Sequence, residues 1–236
     1  MRVMLHHERD PDCPLVAFGQ IVARDPFLLI GRAPNPRFRF QDLSAARLAV
    51  ATEVPTPWMT FQDDLTRSGI ELSTLDIAPK APMQTAAARL AADEIDVAQV
   101  LEPYASAAVA EGSAYIWHRF ASRGDIGYTS FYTTRAYLEA HPKTCAALLA
   151  GMAPALDAVA SEPASVIAAD LADHFPDVPQ PVLIDAIAGY QDSDLWAKDI
   201  DLPATAFVRL KAALLSGGLI SRDIPYDHVI ARLERP

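Results

Sequence analysis

Between Arg47 and Phe120 the chain alternates short apolar runs with helical stretches of about ten residues. No other feature limits the fold as strongly. Leu48–Thr52 reads as a buried strand. After it, Thr56 can cap a helix with Pro57 at its first position, and Trp58, Phe61 and Leu65 form one apolar face before Gly69. Thr74–Ile77 is a second strand and Met83–Ala92 a second helix. Val97–Leu101 is a third strand, followed by a helix from Pro103 to Ala110. Tyr115–Phe120 is a fourth strand. Strands that alternate with helices in this way predict a parallel sheet with crossover helices.

The flanks differ. Arg2–His7, Leu15–Ala23 and Phe27–Gly31 are apolar runs bounded by Asp10-Pro11 and Asp25-Pro26, which predicts strands joined by turns. After a strand at Ile126–Thr134 the pattern turns helical. Leu148, Met152, Leu156 and Val159 make one stripe; Leu183, Ile187 and Tyr190 a second; Phe207, Leu210 and Leu214 a third, closed by Gly217-Gly218. A βαβα block between an extended start and a helical end suggests two lobes. Lobe 1 is expected from residues 1–42 and 126–236, and lobe 2 from residues 43–125 in a βαβαβαβ order. The natural ligand position in such a fold is a crevice at the carboxyl ends of the strands.

Composition removes several classes of function. Thirty acidic against twenty basic side chains give a formal charge of -10, which argues against nucleic acid or an anionic membrane surface as the main partner. Two cysteines, Cys13 and Cys145, far apart and without a CxxC, fit neither a zinc ribbon nor a disulfide scaffold. They are read either as free thiols or as one bridge in an oxidising compartment. Pro14 to Gly31 is broken by Gln20, Arg24, Asp25 and Pro26, so it cannot cross a bilayer as one helix, and no transmembrane span is expected. The first residues carry no apolar signal core.

Two junctions share a layout. Thr56-Pro57-Trp58 follows one strand and Glu102-Pro103-Tyr104 follows another. Each sets a polar residue, a proline and an aromatic ring at a helix start, where free N–H groups can take an anionic or carbonyl oxygen and the ring offers a flat apolar wall. Plain helix capping with the ring packed in the core is the alternative. Glu102 ends a buried strand, so its carboxylate must meet either a ligand amino group or an arginine such as Arg119 or Arg123. On the aromatic strand, alternation sends Tyr128, Ser130 and Tyr132 to one side. His6 and His7 are adjacent on an expected strand and point to opposite faces, so they cannot easily share an ion, and at least one should be exposed. No GxSxG, Walker loop, GxGxxG or HxxxH is present; no metal site, cofactor or nucleophilic centre is expected.

Several of these segments resemble one family. Asp42-Leu43 before Arg47-Leu48-Ala49-Val50, the run from Asp93 to Tyr104, and Tyr128 through Arg135 followed by Tyr137-Leu138-Glu139-Ala140-His141-Pro142 are similar to segments of periplasmic solute-binding proteins of ATP-driven importers. The closest branch is the nitrate/sulfonate/taurine and thiamine-pyrimidine-precursor group. The resemblance implies an α/β, two-lobed periplasmic-binding-protein type II fold, here with the first lobe incomplete and a helical C-terminal part. About eighty residues that such proteins carry before a segment like Met1–Arg32 have no counterpart here, so Met1 resembles an internal start.

The resemblance further implies capture of a small solute between lobes that close by hinge bending, delivery to permease subunits, no cofactor and no catalysis. Carried over by position, the ligand-facing residues are Glu53, Thr56, Trp58, Glu102, Tyr104 and Tyr128. Two rings and two carboxylates suit a flat, amino-bearing heterocycle such as a pyrimidine-like thiamine precursor. A small sulfonate or nitrate would call for basic donors. An incomplete sheet exposes an edge, which predicts a homodimer. The expected location is periplasmic if a preceding segment carries a signal, and cytoplasmic if the chain is whole. The competing reading is a cytoplasmic metabolite sensor or an enzyme on the same scaffold.

Overall fold

The computed structural model describes residues 2–233. In chain order the elements are α1 (Val3–Arg9), β1 (Leu15–Val22), β2 (Phe27–Gly31), β3 (Arg47–Ala49), α2 (Pro55–Arg67) and β4 (Asp76–Ile77). Next come α3 (Ala86–Ala91), β5 (Val97–Leu101), α4 (Tyr104–Ala110), β6 (Tyr115–Arg119), β7 (Thr129–Thr134) and α5 (Arg135–Ala140). The helices α6 (Pro142–Ser161), α7 (Ala164–Leu171), α8 (Gln180–Asp192), α9 (Ala204–Ser216) and α10 (Tyr226–Val229) follow.

The chain forms two compact units. One comprises Met1–Asp25, Arg123–Glu162 and Asp194–Pro236, and the other Pro26–Ser122 and Pro163–Ser193. Residues 26–42 and 163–193, expected in the first lobe, therefore belong to the second unit. The cause lies in β2. Its five residues, Phe27-Leu28-Leu29-Ile30-Gly31, are all buried, as a strand covered on both faces requires. Burying each of the four large side chains is worth about 1.5–3 kcal/mol, and that drives β2 into the larger sheet.

The second unit holds a five-stranded sheet of order β4-β3-β5-β2-β6. β3 runs parallel to both β4 and β5, whereas β2 runs antiparallel to both β5 and β6. The sheet is mixed, then, rather than all parallel. Leu28, Ile30, Ala98 and Val100 pack there with Leu90, Ile95, Ala105 and Ala108. Gly31 is required by contact: a Cβ there would lie 2.1 Å from Cε2 of Trp117. Helix α8 buries Leu183 and Ile187.

The first unit is built on an antiparallel pair, β1 with β7, in which Leu15 lies opposite Thr134 and Gln20 opposite Ser130. Val16, Phe18, Leu138, Cys145, Leu149 and Leu156 form its core, with Phe131 and Met152 packed against them. Phe207, Leu210 and Leu214 of α9 are buried as their spacing requires. Both cysteines are free, Cys145 buried and Cys13 half-buried.

Several local expectations changed: the strand expected at Leu48–Thr52 is Arg47–Ala49, and the one expected at Ile126–Thr134 is Thr129–Thr134. Arg2–His7 is not a strand: Val3, Met4 and His7 fall on one buried face of α1, a helical spacing that a run this short left ambiguous. His6 is exposed, while Nε2 of buried His7 lies 2.7 Å from the Leu15 carbonyl oxygen. Thr56 is no cap. Val54 takes that place in an extended conformation (φ -137°, ψ 144°) because the residue before Pro55 is pushed out of the helical region. The strand expected at Thr74–Ile77 shrinks to Asp76–Ile77, and Met83–Thr85 form a 3-10 turn before α3.

Helix α6 departs furthest. Its buried residues are Cys145, Leu149 and Leu156, while Leu148, expected on the inward stripe, is 44% exposed. With twenty residues and a mean hydropathy of 1.4, α6 is long and apolar enough to cross a membrane by length and composition, a property not expected from the sequence.

Candidate functional site

Because β3 and β5 are parallel neighbours, the two junctions with a proline and an aromatic ring lie side by side at their carboxyl ends. Five of the six expected residues gather there: Glu53, Thr56 and Trp58 around the start of α2, and Glu102 and Tyr104 at the start of α4. Tyr128 belongs to the first unit, where it is half-buried and its N–H donates to the Val22 carbonyl at 2.8 Å.

The carboxylates are engaged by the main chain. Glu53 accepts from the N–H of Thr52 at 3.1 Å and from that of Met83 at 2.7 Å, which ties two loops together. Glu102 is 6% exposed, and its Oε2 accepts from the N–H of Ser106 at 2.9 Å in the first turn of α4. Its own N–H donates to the Tyr190 hydroxyl at 3.0 Å, which donates onward to the Pro26 carbonyl at 3.1 Å. Burial pushes the Glu102 carboxyl above its ordinary pKa. Its hydrogen bonds with Ser106 and the charge of Arg119 oppose that shift, and Asp185 reinforces it.

Neither arginine considered from the sequence closes an ion pair with Glu102. Arg123 pairs instead with buried Asp25 at 2.7 Å, within the first unit. Arg119 acts on Glu102 only through space. Its guanidinium lies over Gly189, where a Cβ would stand 2.9 Å from Nη1. Oε1 of Glu102 is buried without a hydrogen-bond partner.

The rings supply apolar wall. Trp58 is half-buried and meets Phe61 edge-on, with centroids 5.5 Å apart. Half-buried Tyr104 packs on the core of the second unit. Thr56 is buried, and its carbonyl accepts from Oγ1 of Thr60 at 3.1 Å.

Gln99 holds this region together, and the sequence reading passed over it. It sits on β5 at 2% exposure, accepts from the Ala51 N–H at 3.1 Å and donates to the Pro57 carbonyl at 3.0 Å. One side chain thus fixes the loop after β3 and the first turn of α2, where Trp58 stands. Its signal was a single polar residue inside an apolar strand. Tyr190 was missed for another reason: its place in a helical stripe marks its ring as core and hides the hydroxyl.

The opposite ends of β3 and β5 carry the charges. Arg47 opens β3 and Asp96 precedes β5; with Arg32 and Asp93 they form a four-residue network. Asp96 lies 2.8 Å from both guanidinia, Arg32 meets Asp93 at 3.0 Å, and Arg47 contacts Asp93 as well. The hydrogen bonds that Arg47 donates hold the Asp96 carboxyl far below the usual carboxylate range, and donating to Asp96 and Asp93 pushes the Arg47 pKa up. The family-like segment beginning at Asp93 thus opens with structural charges and ends at the site.

A sequence profile described as the NMT1-like family matches residues 37–172, more than half of the chain. The chain belongs to that family. No curated protein sequence matches it. Among solved structures, it is similar to the alkanesulfonate-binding protein of Xanthomonas axonopodis pv. citri bound to MOPS, with 18% identity and a TM-score of 0.73 over 97% of this chain and 77% of that one. It is also similar to the periplasmic aliphatic sulphonate binding protein of Escherichia coli, with 19% identity and a TM-score of 0.75 over 99% of this chain and 74% of that one. A desulfurization enzyme shares the fold at 16% identity and a TM-score of 0.58, covering 98% of this chain and 80% of the enzyme.

These likenesses establish the fold of this NMT1-like chain as the two-lobed periplasmic-binding-protein type, with its first lobe incomplete. The solved sulfonate binders run longer by about a quarter of their length, and the first unit's sheet has two strands against five in the second.

Proposed function

We propose that this chain captures a small solute at the carboxyl ends of β3 and β5 and presents it to the permease subunits of an ATP-driven importer. The observation that carries the reading is the pairing of two half-buried rings, Trp58 and Tyr104, at neighbouring strand ends. Membership of the NMT1-like family and the fold shared with sulfonate binders support it. Glu53, Thr56, Trp58, Glu102, Tyr104 and Tyr128 are the ligand-facing residues of this proposal. The rings supply flat contact area, and the Glu102 carboxyl supplies a buried polar group beside them.

Two ligand classes follow. Two rings beside the buried Glu102 carboxyl favour a flat, amino-bearing heterocycle such as a pyrimidine-like thiamine precursor. The solutes named for the structural relatives favour a small sulfonate. A thermal-shift screen of aminopyrimidines, alkanesulfonates, taurine and nitrate separates the two. A ligand at a hundred times its dissociation constant stabilises the native state by about 2.7 kcal/mol, a shift of several degrees. A hit should also change Trp58 fluorescence and weaken on Trp58→Ala. If no compound moves the melting temperature, the solute-binding reading falls. Turnover of any compound in the panel would support the enzyme reading instead.

A further inference from the structure

Strand β2 fixes the spacing of two charged side chains in the second unit. Leu28 lies opposite Val100 of β5 on one side and opposite Arg119 of β6 on the other. Directly opposite residues share a face, so Arg119 stands on the face of Val100, two strand spacings or about 10 Å away. Both β5 and β6 run antiparallel to β2. Arg119 therefore closes β6 at the sheet end where Glu102 follows β5.

Arg119 has a seat on α8. A Cβ at Gly189 would lie 2.9 Å from both Nη1 and Nη2 of Arg119 and 3.1 Å from its Cζ. Gly189 is buried within that helix, where alanine would favour the helical backbone, so the missing side chain serves the guanidinium. Nη1 of Arg119 and Oε1 of Glu102 are both buried, and neither has a hydrogen-bond partner among the described residues. One is a donor and the other an acceptor.

The groups around Glu102 come from several elements. Asp185, Tyr190 and Asp192 lie on α8, and Tyr104 and Ser106 on α4. Strand β2 brings no titratable side chain, Arg47 of β3 is engaged at the far end, and Arg89 of α3 pairs with Glu94. Glu53 accepts from Thr52 and Met83. His118, next to Arg119, alternates to the other face and packs among Phe38, Phe40 and Phe120. Of these groups, Arg119 favours the charged carboxylate through space and Asp185 opposes it.

We propose that Arg119, seated over Gly189, is a positioning residue that keeps the Glu102 carboxylate charged, so that its unpartnered oxygen accepts from an N–H donor of the captured solute. The acceptor role rests on the solute-binding reading; the seat of Arg119 does not. The solute class that follows carries an amino group, since nitrate and simple alkanesulfonates have no N–H to give.

Carboxyl 13C NMR of the chain labelled at glutamate Cδ follows Glu102 directly, with Glu102→Gln identifying its signal. Arg119→Gln should raise the Glu102 titration midpoint by about one pH unit or more, and Arg119→Lys by less. Gly189→Ala removes no charge but displaces the guanidinium, so it should raise the midpoint too, with circular dichroism unchanged. A midpoint unmoved by Arg119→Gln overturns the proposal, and one moved by Arg119→Gln but not by Gly189→Ala overturns the seat. No solute enters this measurement, so its failure leaves the solute-binding reading standing. Calorimetry with taurine, 4-aminopyrimidine and methanesulfonate tests the acceptor. Affinity for an amine should fall by up to about tenfold per pH unit below the Glu102 midpoint, a dependence lost in Glu102→Gln. The same dependence in Glu102→Gln, or binding of neither amine, overturns the acceptor role.

Discussion

Replacing Gln99 with leucine tests whether one buried amide organises the strand-end site. The side chain is 2% exposed and both ends of its amide are used, with Ala51 N–H donating to Oε1 and Nε2 donating to the Pro57 carbonyl. In Gln99→Leu the Ala51 N–H, at a residue 1% exposed, is left without that acceptor, which costs about 1–3 kcal/mol. The Pro57 carbonyl suffers less because it still accepts from Oγ1 of Thr60 at 3.1 Å. Leucine has nearly the same volume and recovers some apolar transfer energy, so the net loss should be about 2 kcal/mol. Urea denaturation should show a lower midpoint at constant m-value, and the Ala51 amide should exchange faster with deuterium. Thr60→Val sharpens the test. Together the two changes strip the Pro57 carbonyl of both side-chain donors, so the double variant should lose more than the sum of the singles by about 0.5–1 kcal/mol. A Gln99→Leu loss below about 0.5 kcal/mol, or strict additivity, would refute the reasoning.

Glu102→Gln should stabilise the fold increasingly as pH rises. Burial raises the carboxyl pKa in the folded state, so that state holds the proton more tightly and wild-type stability declines from the ordinary carboxylate pKa upward; the gap between variant and wild type in denaturant titrations at pH 4 to 7 should widen, and a constant gap would count against it. Asp96→Asn has the opposite sign. Its depressed pKa contributes stability above the ordinary carboxylate range and loses it as pH falls, so the variant should cost about 1–3 kcal/mol at neutral pH and converge on wild type in acid. Gly31→Ala forces a Cβ against Trp117 and should lower stability by about 1–3 kcal/mol, read as a depressed melting temperature.

The sequence disclosed most where a pattern had one physical solution. The apolar run of β2, bounded by Asp25-Pro26, is the strand its pattern predicts, and the spacing of Phe207, Leu210 and Leu214 is the helix with one inward side. Neighbours in space were harder to foresee. Nothing local in β2 says that it returns antiparallel between β5 and β6, since those contacts span some seventy to ninety residues of chain. Helix α6 shows the same limit from the other direction. Apolar on every side, it gives periodicity no polar face to work against, so a stripe through Leu148 and one through Leu149 look alike until the sheet selects the second.

At the site, residue type was legible and partner was not. Two Pro-aromatic junctions after two strands are visible in the sequence; their adjacency follows only once β3 and β5 pair. The carboxylates illustrate why role cannot be read from type. A glutamate at a strand end can accept equally from an arginine, a ligand or the next helix, and geometry decides: the Ser106 N–H lies within the first turn of α4 and reaches Glu102 without the entropy of ordering a long cation. Arginine does appear in force, but where Asp93 and Asp96 precede β5, at the amino ends of the strands, where the charges stay partly in water. That separation leaves at the carboxyl ends of β3 and β5 two aromatic rings and two carboxyl groups, Glu53 and Glu102, which accept from the main-chain N–H groups of Thr52, Met83 and Ser106.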